Sequence, residues 1–336
     1  MPPIGLFMKA LYFDGKLEFR DVEMPRPGPD EALIQVLLAG VCGTDREILK
    51  GYSAFRGIPG HEFVGRVVEC TNREWLEKRV VGEINVACGE CEFCLWGLGR
   101  HCPNRTVMGI VNRDGTFAEF VVLPVVNLHE VPAEVNDEAA VFVEPVAAAA
   151  EILEQMPISH ARRTAVLGDG RLGLLVAQVF RHAGAQVTVI GKHASKLAVA
   201  KSLKLQVAEA GNHDLAPGSF SVVVEATGSP SGLSEALRLV EPRGTVVMKS
   251  TFRDSATFDT AKLVVDEITL LGSRCGNFSS AIDLLRDEVV KVNGMVTKTF
   301  PLEAGLAAFD YLNDPACFKV LLAPGRVEPP EAGDVP

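Results

Sequence analysis

The hydrophobic pattern of the chain has two textures. Up to about residue 145, short β-branched runs alternate with turn signals: ALIQVLLAG (32–40), FVGRVVE (63–69) and RVVGEINVA (79–87) are separated by Pro-Gly and Asn-Arg pairs. Such runs predict strands. The tract Met24–Asp30, MPRPGPD, is a loop, because proline lacks the N–H that a ladder or helix needs. From about Ala147 the pattern becomes apolar strand, glycine turn and amphipathic helix in succession, as in TAVLGDGRLGLLVAQVFRHAGAQVTVIG. SVVVEATG (221–228), GTVVMKS (244–250) and EITLLGS (267–273) are further continuous apolar runs, the mark of a parallel sheet covered on both faces. Helices are expected at 195–203, 231–240 and 279–290. After Lys291 the pattern reads strand, helix, strand, too short to fold alone, and is expected to return to the first domain. The expected organisation is therefore α/β in two domains, 1–146 with 291–336 and 147–290, ending in a frayed acidic tail of ten residues.

Composition narrows the classes of partner. A net charge of −10 and a pI near 5.3 argue against nucleic acid or an anionic membrane, both of which attract basic surfaces. The most apolar run, Val141–Leu153, is broken by Glu144, Pro145 and Glu151, so no spanning segment is expected. The start, MPPIGLFMKALYFDG, has no basic stretch ahead of a long apolar one, so no export signal is expected and a cytoplasmic location is. In that setting the crowding of four of the eight cysteines into one stretch favours metal over disulfides.

Those four, Cys88, Cys91, Cys94 and Cys102, follow C-x2-C-x2-C-x7-C within a lobe at 87–103. Four sulfurs at this spacing complete the closed tetrahedron of a structural zinc, with an iron–sulfur cluster or plain buried thiols as the alternatives. Cys42 in GVCGTD and the pair His61–Glu62 in PGHEFVG form a second set. Thiolate, imidazole and carboxylate together leave a coordination position open for water or substrate.

Gly168, Gly170 and Gly173, with Arg171 and Leu172 between the last two, fit G-x-G-x-x-G directly after the strand TAVL and at the head of a helix. This is a dinucleotide fingerprint whose pyrophosphate would rest on the helix N-terminus. About 20 residues on, where an NAD site usually presents Asp or Glu, the chain has Gly191 followed by Lys192 and His193. The missing carboxylate and two basic neighbours favour NADP over NAD. Thr227 and Gly228 end a sheet strand on the same side, so their backbone is expected to border the cofactor.

Taken in order, GVCGTD, PGHEFVG, the four-cysteine lobe, GTFAEF, Glu144-Pro145, GDGRLG and EATG resemble the zinc-containing medium-chain dehydrogenase/reductase family over essentially the whole chain. The resemblance implies a Rossmann doubly wound parallel sheet plus a β-rich GroES-like catalytic domain. It implies an oxidoreductase that moves hydride between an alcohol, polyol or sugar carbinol and NAD(P), with two zinc ions per chain. Cys42 and His61 would be ligands of the catalytic zinc, and Glu62 a direct ligand or an adjacent group that exchanges onto it. Glu144 stands where alcohol dehydrogenases carry a cysteine and resembles the sorbitol and glucose branches, contacting zinc directly or through its water. Thr44 would accept the alcohol proton, Asp45 would hold the ligand histidine, and Glu47 occupies the relay position often filled by histidine. A small-molecule alcohol or carbonyl substrate and a homodimer or homotetramer follow from the same resemblance. The rival readings are a zinc-free reductase, a dinucleotide-binding regulator without turnover, and a member repurposed for a specialised reductive or non-redox biosynthetic step.

Overall fold

Glu31–Gly40 and Glu62–Cys70 pair antiparallel and form the centre of the first sheet in the computed structural model, which describes residues 6–51, 54–158, 162–211, 215–251, 255 and 257–325. Leu33, Ile34, Val36, Phe63, Val64 and Val67 on these two strands are almost fully buried. Lys319–Ala323 flanks Glu31–Gly40 on one side, while Arg79–Gly82 and Leu128–Glu130 extend the sheet beyond Glu62–Cys70. Phe120–Pro124 also pairs with Glu31–Gly40. The run at 79–87 is not one strand: Arg79–Gly82 stays in this sheet, and Asn85–Val86 leaves it to pair with Thr106–Val107 next to the cysteine lobe. Met24–Asp30 carries no helix or strand.

The second sheet is parallel throughout. Its strands are Arg163–Leu167, Gln186–Gly191, Gln206–Glu209, Phe220–Glu225, Val240–Met248 and Thr269–Gly272. Numbered in chain order they lie 3-2-1-4-5-6 across the sheet, the doubly wound arrangement whose order reverses beside the first strand. Val222, Val223 and Val224 are fully buried, as a strand covered on both faces requires. Helices Ala194–Ser202, Pro230–Leu239 and Phe278–Arg286 stand close to their expected spans. Arg171–His182 buries Gly173 through Phe180 and ends on Arg181 and His182, whose charge suits the C-terminal dipole.

Contacts divide the chain into two units: residues 1–142, 298–313 and 319–336, and residues 143–297 with 314–318. The breaks read from sequence at 146/147 and 290/291 stand at 142/143 and 297/298, and the short piece 314–318 belongs with the second unit. The first shift has a local reason: helix Val143–Gln155 begins at the break, so residues 143–146 belong to its first turn. The acidic tail lies outside the described residues, as do the first five residues of the chain. No helix among the described residues is long and apolar enough to cross a membrane.

Candidate active site

In the first unit, the chain leaves Glu31–Gly40 and turns into helix Gly43–Leu49 with Cys42 as its N-cap. The cap is held by Asp45, whose Oδ2 accepts the Cys42 backbone N–H at 2.8 Å. The other oxygen, Oδ1, lies 3.3 Å from Nδ1 of His61, at the head of the neighbouring strand. One fully buried carboxylate therefore fixes both Cys42 and His61. Burial alone would pull the imidazole pKa down, but the Asp45 charge and its hydrogen bond, aided by Cys42, raise it well above the ordinary value. The ligand atoms of Cys42, His61 and Glu62 all lie within 4.8 Å of one another, close enough to share one ion. The Thr44 hydroxyl is 3.9 Å from the Cys42 sulfur. Glu47, half-buried on the same helix, pairs with Lys50 at 2.9 Å.

Sequence reasoning missed a participant. Lys319, in the strand Lys319–Ala323, is fully buried and its ammonium pairs with the Glu62 carboxylate. It also reaches the carbonyl of Val41 at 3.5 Å and stands 5.7 Å from the centre of the Phe142 ring. Burial lowers this ammonium to about 8, against the opposing pull of Cys42 and Asp45. The available signal was a single charged residue opening the apolar run KVLLA.

Glu144 belongs to the second unit, in the first turn of helix Val143–Gln155. Its charge acts there on Lys249, a buried lysine that donates to the carbonyl of Arg274 at 2.6 Å.

The four cysteines of the lobe come together. Sulfur separations are 3.4 Å for Cys91–Cys94, 3.5 Å for Cys88–Cys102, 3.7 Å for Cys91–Cys102 and 3.9 Å for Cys88–Cys94. A zinc–sulfur bond of about 2.3 Å gives a tetrahedron edge of roughly 3.8 Å, whereas a disulfide needs about 2.05 Å. The donor set and its spacing fit a tetrathiolate ion. Backbone N–H groups of Glu90 and Cys91 lower the Cys88 thiol to about 6. At Cys91 the N–H of Cys94 favours the thiolate, but burial and the adjoining sulfurs outweigh it and push the thiol up to about 12.

The dinucleotide loop lies wholly in the second unit. A Cβ on Gly173 would sit 2.1 Å from the carbonyl oxygen of Gly168, so only glycine permits this close packing of helix on strand. At Gly170, the N-cap of Arg171–His182, a Cβ would meet nothing within 4 Å, and no side chain caps the helix. Open space before uncapped N–H groups fits a pyrophosphate. Arg171 donates to the Phe318 carbonyl, and Leu172 beside it is half-buried. Thr227 and Gly228 form the turn after Phe220–Glu225: Thr227 N–H donates to Glu225 at 2.7 Å and Gly228 N–H to the Ser250 hydroxyl at 3.0 Å. This turn abuts the glycine loop, since Ala226 N–H donates to Leu167 at 2.9 Å. Gly191 ends its strand, and Lys192 and His193 follow with their backbone N–H groups on the carboxylate of Asp169, which sequence reasoning also passed over.

Comparison with known proteins gives the family. Residues 28–133 match the alcohol dehydrogenase GroES-like domain and residues 172–289 match the zinc-binding dehydrogenase domain. D-arabinitol dehydrogenase 1 of Uromyces fabae is 30% identical over 94% of this chain and 97% of its own length. An L-threonine 3-dehydrogenase of Streptomyces avermitilis is 35% identical over 75% of this chain and 79% of its own. Among solved structures, a zinc-binding dehydrogenase of Sinorhizobium meliloti 1021 bound to NADP superposes with a TM-score of 0.85 at 31% identity, covering 95% of this chain and 99% of that one. The fold, the ordered motifs and these matches together show that the chain belongs to the zinc-type medium-chain dehydrogenase/reductase family of oxidoreductases.

Proposed function

We propose that this chain interconverts an alcohol, polyol or sugar carbinol and the matching carbonyl by hydride transfer, with NADP favoured over NAD and two zinc ions per chain. The observation that carries this reading is the grouping of Cys42, His61 and Glu62 within 4.8 Å, two of them fixed by the single carboxylate of Asp45. Cys42 and His61 would hold the catalytic ion, with Glu62 and Glu144 as direct or adjacent carboxylates, and the four-cysteine lobe would hold the second. When bound, zinc supplies a Lewis acid for the substrate oxygen, and the nicotinamide takes or gives the hydride. Asp45, 3.3 Å from His61 Nδ1, would hold the ring in place and leave Nε2 for the ion. Thr44 would take the proton of the substrate hydroxyl; Glu47, at the relay position, pairs with Lys50 at 2.9 Å, and the proton would leave through water. The N-terminal turn of Arg171–His182 cradles the pyrophosphate beside Gly168, Gly170 and Gly173, while Thr227 and Gly228 border the cofactor. Lys192 and His193 meet the 2′-phosphate.

A carboxylate in place of a second thiolate would make a harder metal, which suits a substrate with several hydroxyls. Relatives named for D-arabinitol, sorbitol and threonine support this class. Leu270, exposed on the edge strand Thr269–Gly272, with Val264 and Val265 nearby in sequence and largely exposed, supports assembly into a homodimer or homotetramer. Four thiols crowded in a metal-type cluster support a reducing, cytoplasmic setting.

The test is metal analysis of protein never exposed to chelator, together with turnover of polyols and their ketoses with NADPH and NADH. Near two zincs per chain and faster reduction with NADPH are expected. Turnover that survives removal of the Cys42–His61 ion would overturn the mechanism, and preference for NADH would overturn the cofactor reading.

A further inference from the structure

We propose that Asp169 is the positioning residue of the cofactor's 2′ site: its carboxylate occupies the room a side chain at 191 would need and holds His193 so that its free ring nitrogen, with Lys192, meets a 2′-phosphate. This rests on the dinucleotide reading above and adds to it a coupling between two positions 22 residues apart.

Asp169 is the second residue of GDGRLG, a position the fingerprint leaves open. It is 5% exposed. Its Oδ2 accepts the backbone N–H groups of Lys192 at 2.8 Å and His193 at 2.7 Å. The His193 Nδ1 lies 2.9 Å from Oδ1 and 3.1 Å from Oδ2. Burial works against the carboxylate, but the His193 ring and the two N–H groups outweigh it, so the acid is held below its ordinary pKa. An ionised carboxylate only accepts, so Nδ1 must carry hydrogen, and Nε2 is the nitrogen left for a ligand. Three of roughly four acceptor positions on Asp169 are thus taken, which leaves little for a ribose diol.

The same carboxylate dictates the residue at 191. A Cβ there would lie 2.4 Å from Asp169 Cβ, 2.5 Å from Oδ2 and 2.6 Å from Cγ. The Asp169 Cβ is fixed to the backbone and cannot swing aside, so Asp169 and any side chain at 191 exclude each other. A strand-end acid for the 2′-hydroxyl therefore cannot be introduced alone.

The experiment compares wild type, Asp169→Asn, Gly191→Asp and the double variant Asp169→Ala/Gly191→Asp, using dissociation constants for NADPH and NADH from fluorescence titration and the thermal midpoint without cofactor. Gly191→Asp is expected to lower the midpoint and to weaken both cofactors about tenfold or more, the scale of a lost charge-assisted contact. The double variant should regain the midpoint and bind NADH more tightly than NADPH. Asp169→Asn should shrink the NADPH-to-NADH preference about fivefold to tenfold with NADH affinity held, because the neutral amide no longer anchors His193. If Asp169→Asn fails to fold, His193→Gln reports the same loss of preference. A Gly191→Asp protein that keeps the wild-type midpoint and switches to NADH unaided overturns the proposal, as does an unchanged preference in Asp169→Asn or His193→Gln. Wild-type preference for NADH would instead overturn the proposed NADP preference itself. The steric coupling is then still decided by the midpoints of Gly191→Asp and the double variant.

Discussion

The ammonium of Lys319 meets the carboxylate of Glu62 where neither side chain reaches solvent. Gly40 makes the space: a Cβ there would lie 2.4 Å from both Cε and Nζ of Lys319. The ion pair thus joins three strands of the first sheet, and it tethers the carboxylate beside His61. If Cys42 and His61 hold an ion as proposed, the carboxylate would have two competing cations, the lysine and that ion.

Removing one partner leaves the other charged and buried, so Lys319→Met should lower stability by about 3–5 kcal/mol. Adding Glu62→Gln should recover much of that loss. Urea denaturation of the two single variants and the pair measures the coupling; strict additivity would show that the two groups act independently.

Asp45 touches both Cys42 and His61, so it would act on an ion at the proposed site through those two residues. Asp45→Asn should keep the fold and weaken the ion at that site about 10–100-fold, the usual effect of losing such a partner. Competition with a chromophoric chelator reads this directly, with the four-cysteine ion as internal control. An unchanged affinity would mean that Asp45 serves only as the helix cap.

The two metal sites should separate by mutation. Cys102→Ser, at the buried sulfur of the lobe, should cost one ion and expose the 87–103 segment to protease, because binding energy of about 10 kcal/mol or more for such an ion is also folding energy. Cys42→Ser should cost the other ion and activity while leaving the protease pattern unchanged. Loss of both ions in either variant would show that the sites are not independent.

Lys249 makes the stability of the protein depend on pH. Burial lowers its ammonium to about 8 from an ordinary 10.5, with Cys275, Glu144 and Glu151 opposing. Between those two values the unfolded chain binds more protons than the folded one, so stability rises with pH. Below about 8 the lysine is charged in both states and its contribution is flat. Wild type should therefore gain stability relative to Lys249→Met as pH goes from 8 to 10, measured by urea denaturation. A difference that stays level or falls would contradict the burial assigned to this amine.

Much of this was legible from local pattern. Continuous runs such as SVVVE and TAVL mark strands covered on both faces, and the cysteine spacing announces its lobe before any coordinate is seen. Cys42, His61 and Glu62 stand out because their motifs occur in a family order. Lys319, Asp169 and Lys249 were not legible, for one shared reason. Each is a charged residue in or beside an apolar strand or glycine loop, and its partner is distant in sequence. A run such as KVLLA carries no mark that its first residue is buried against Glu62. The run at 79–87 misled for a related reason: β propensity does not register a change of sheet at residues 83–84.

The first unit is finished by the strand Lys319–Ala323, which arrives after the entire second unit has been made. On the ribosome, then, the second unit has its full sequence before the first can close. Until residue 319 emerges, Glu62 has no lysine beside it and the sheet built on Glu31–Gly40 has an unpaired edge. A nascent chain stalled near residue 297 would hold a nearly complete second unit and an open first one. Chaperones would therefore meet an open sheet edge up to that point in the chain's synthesis.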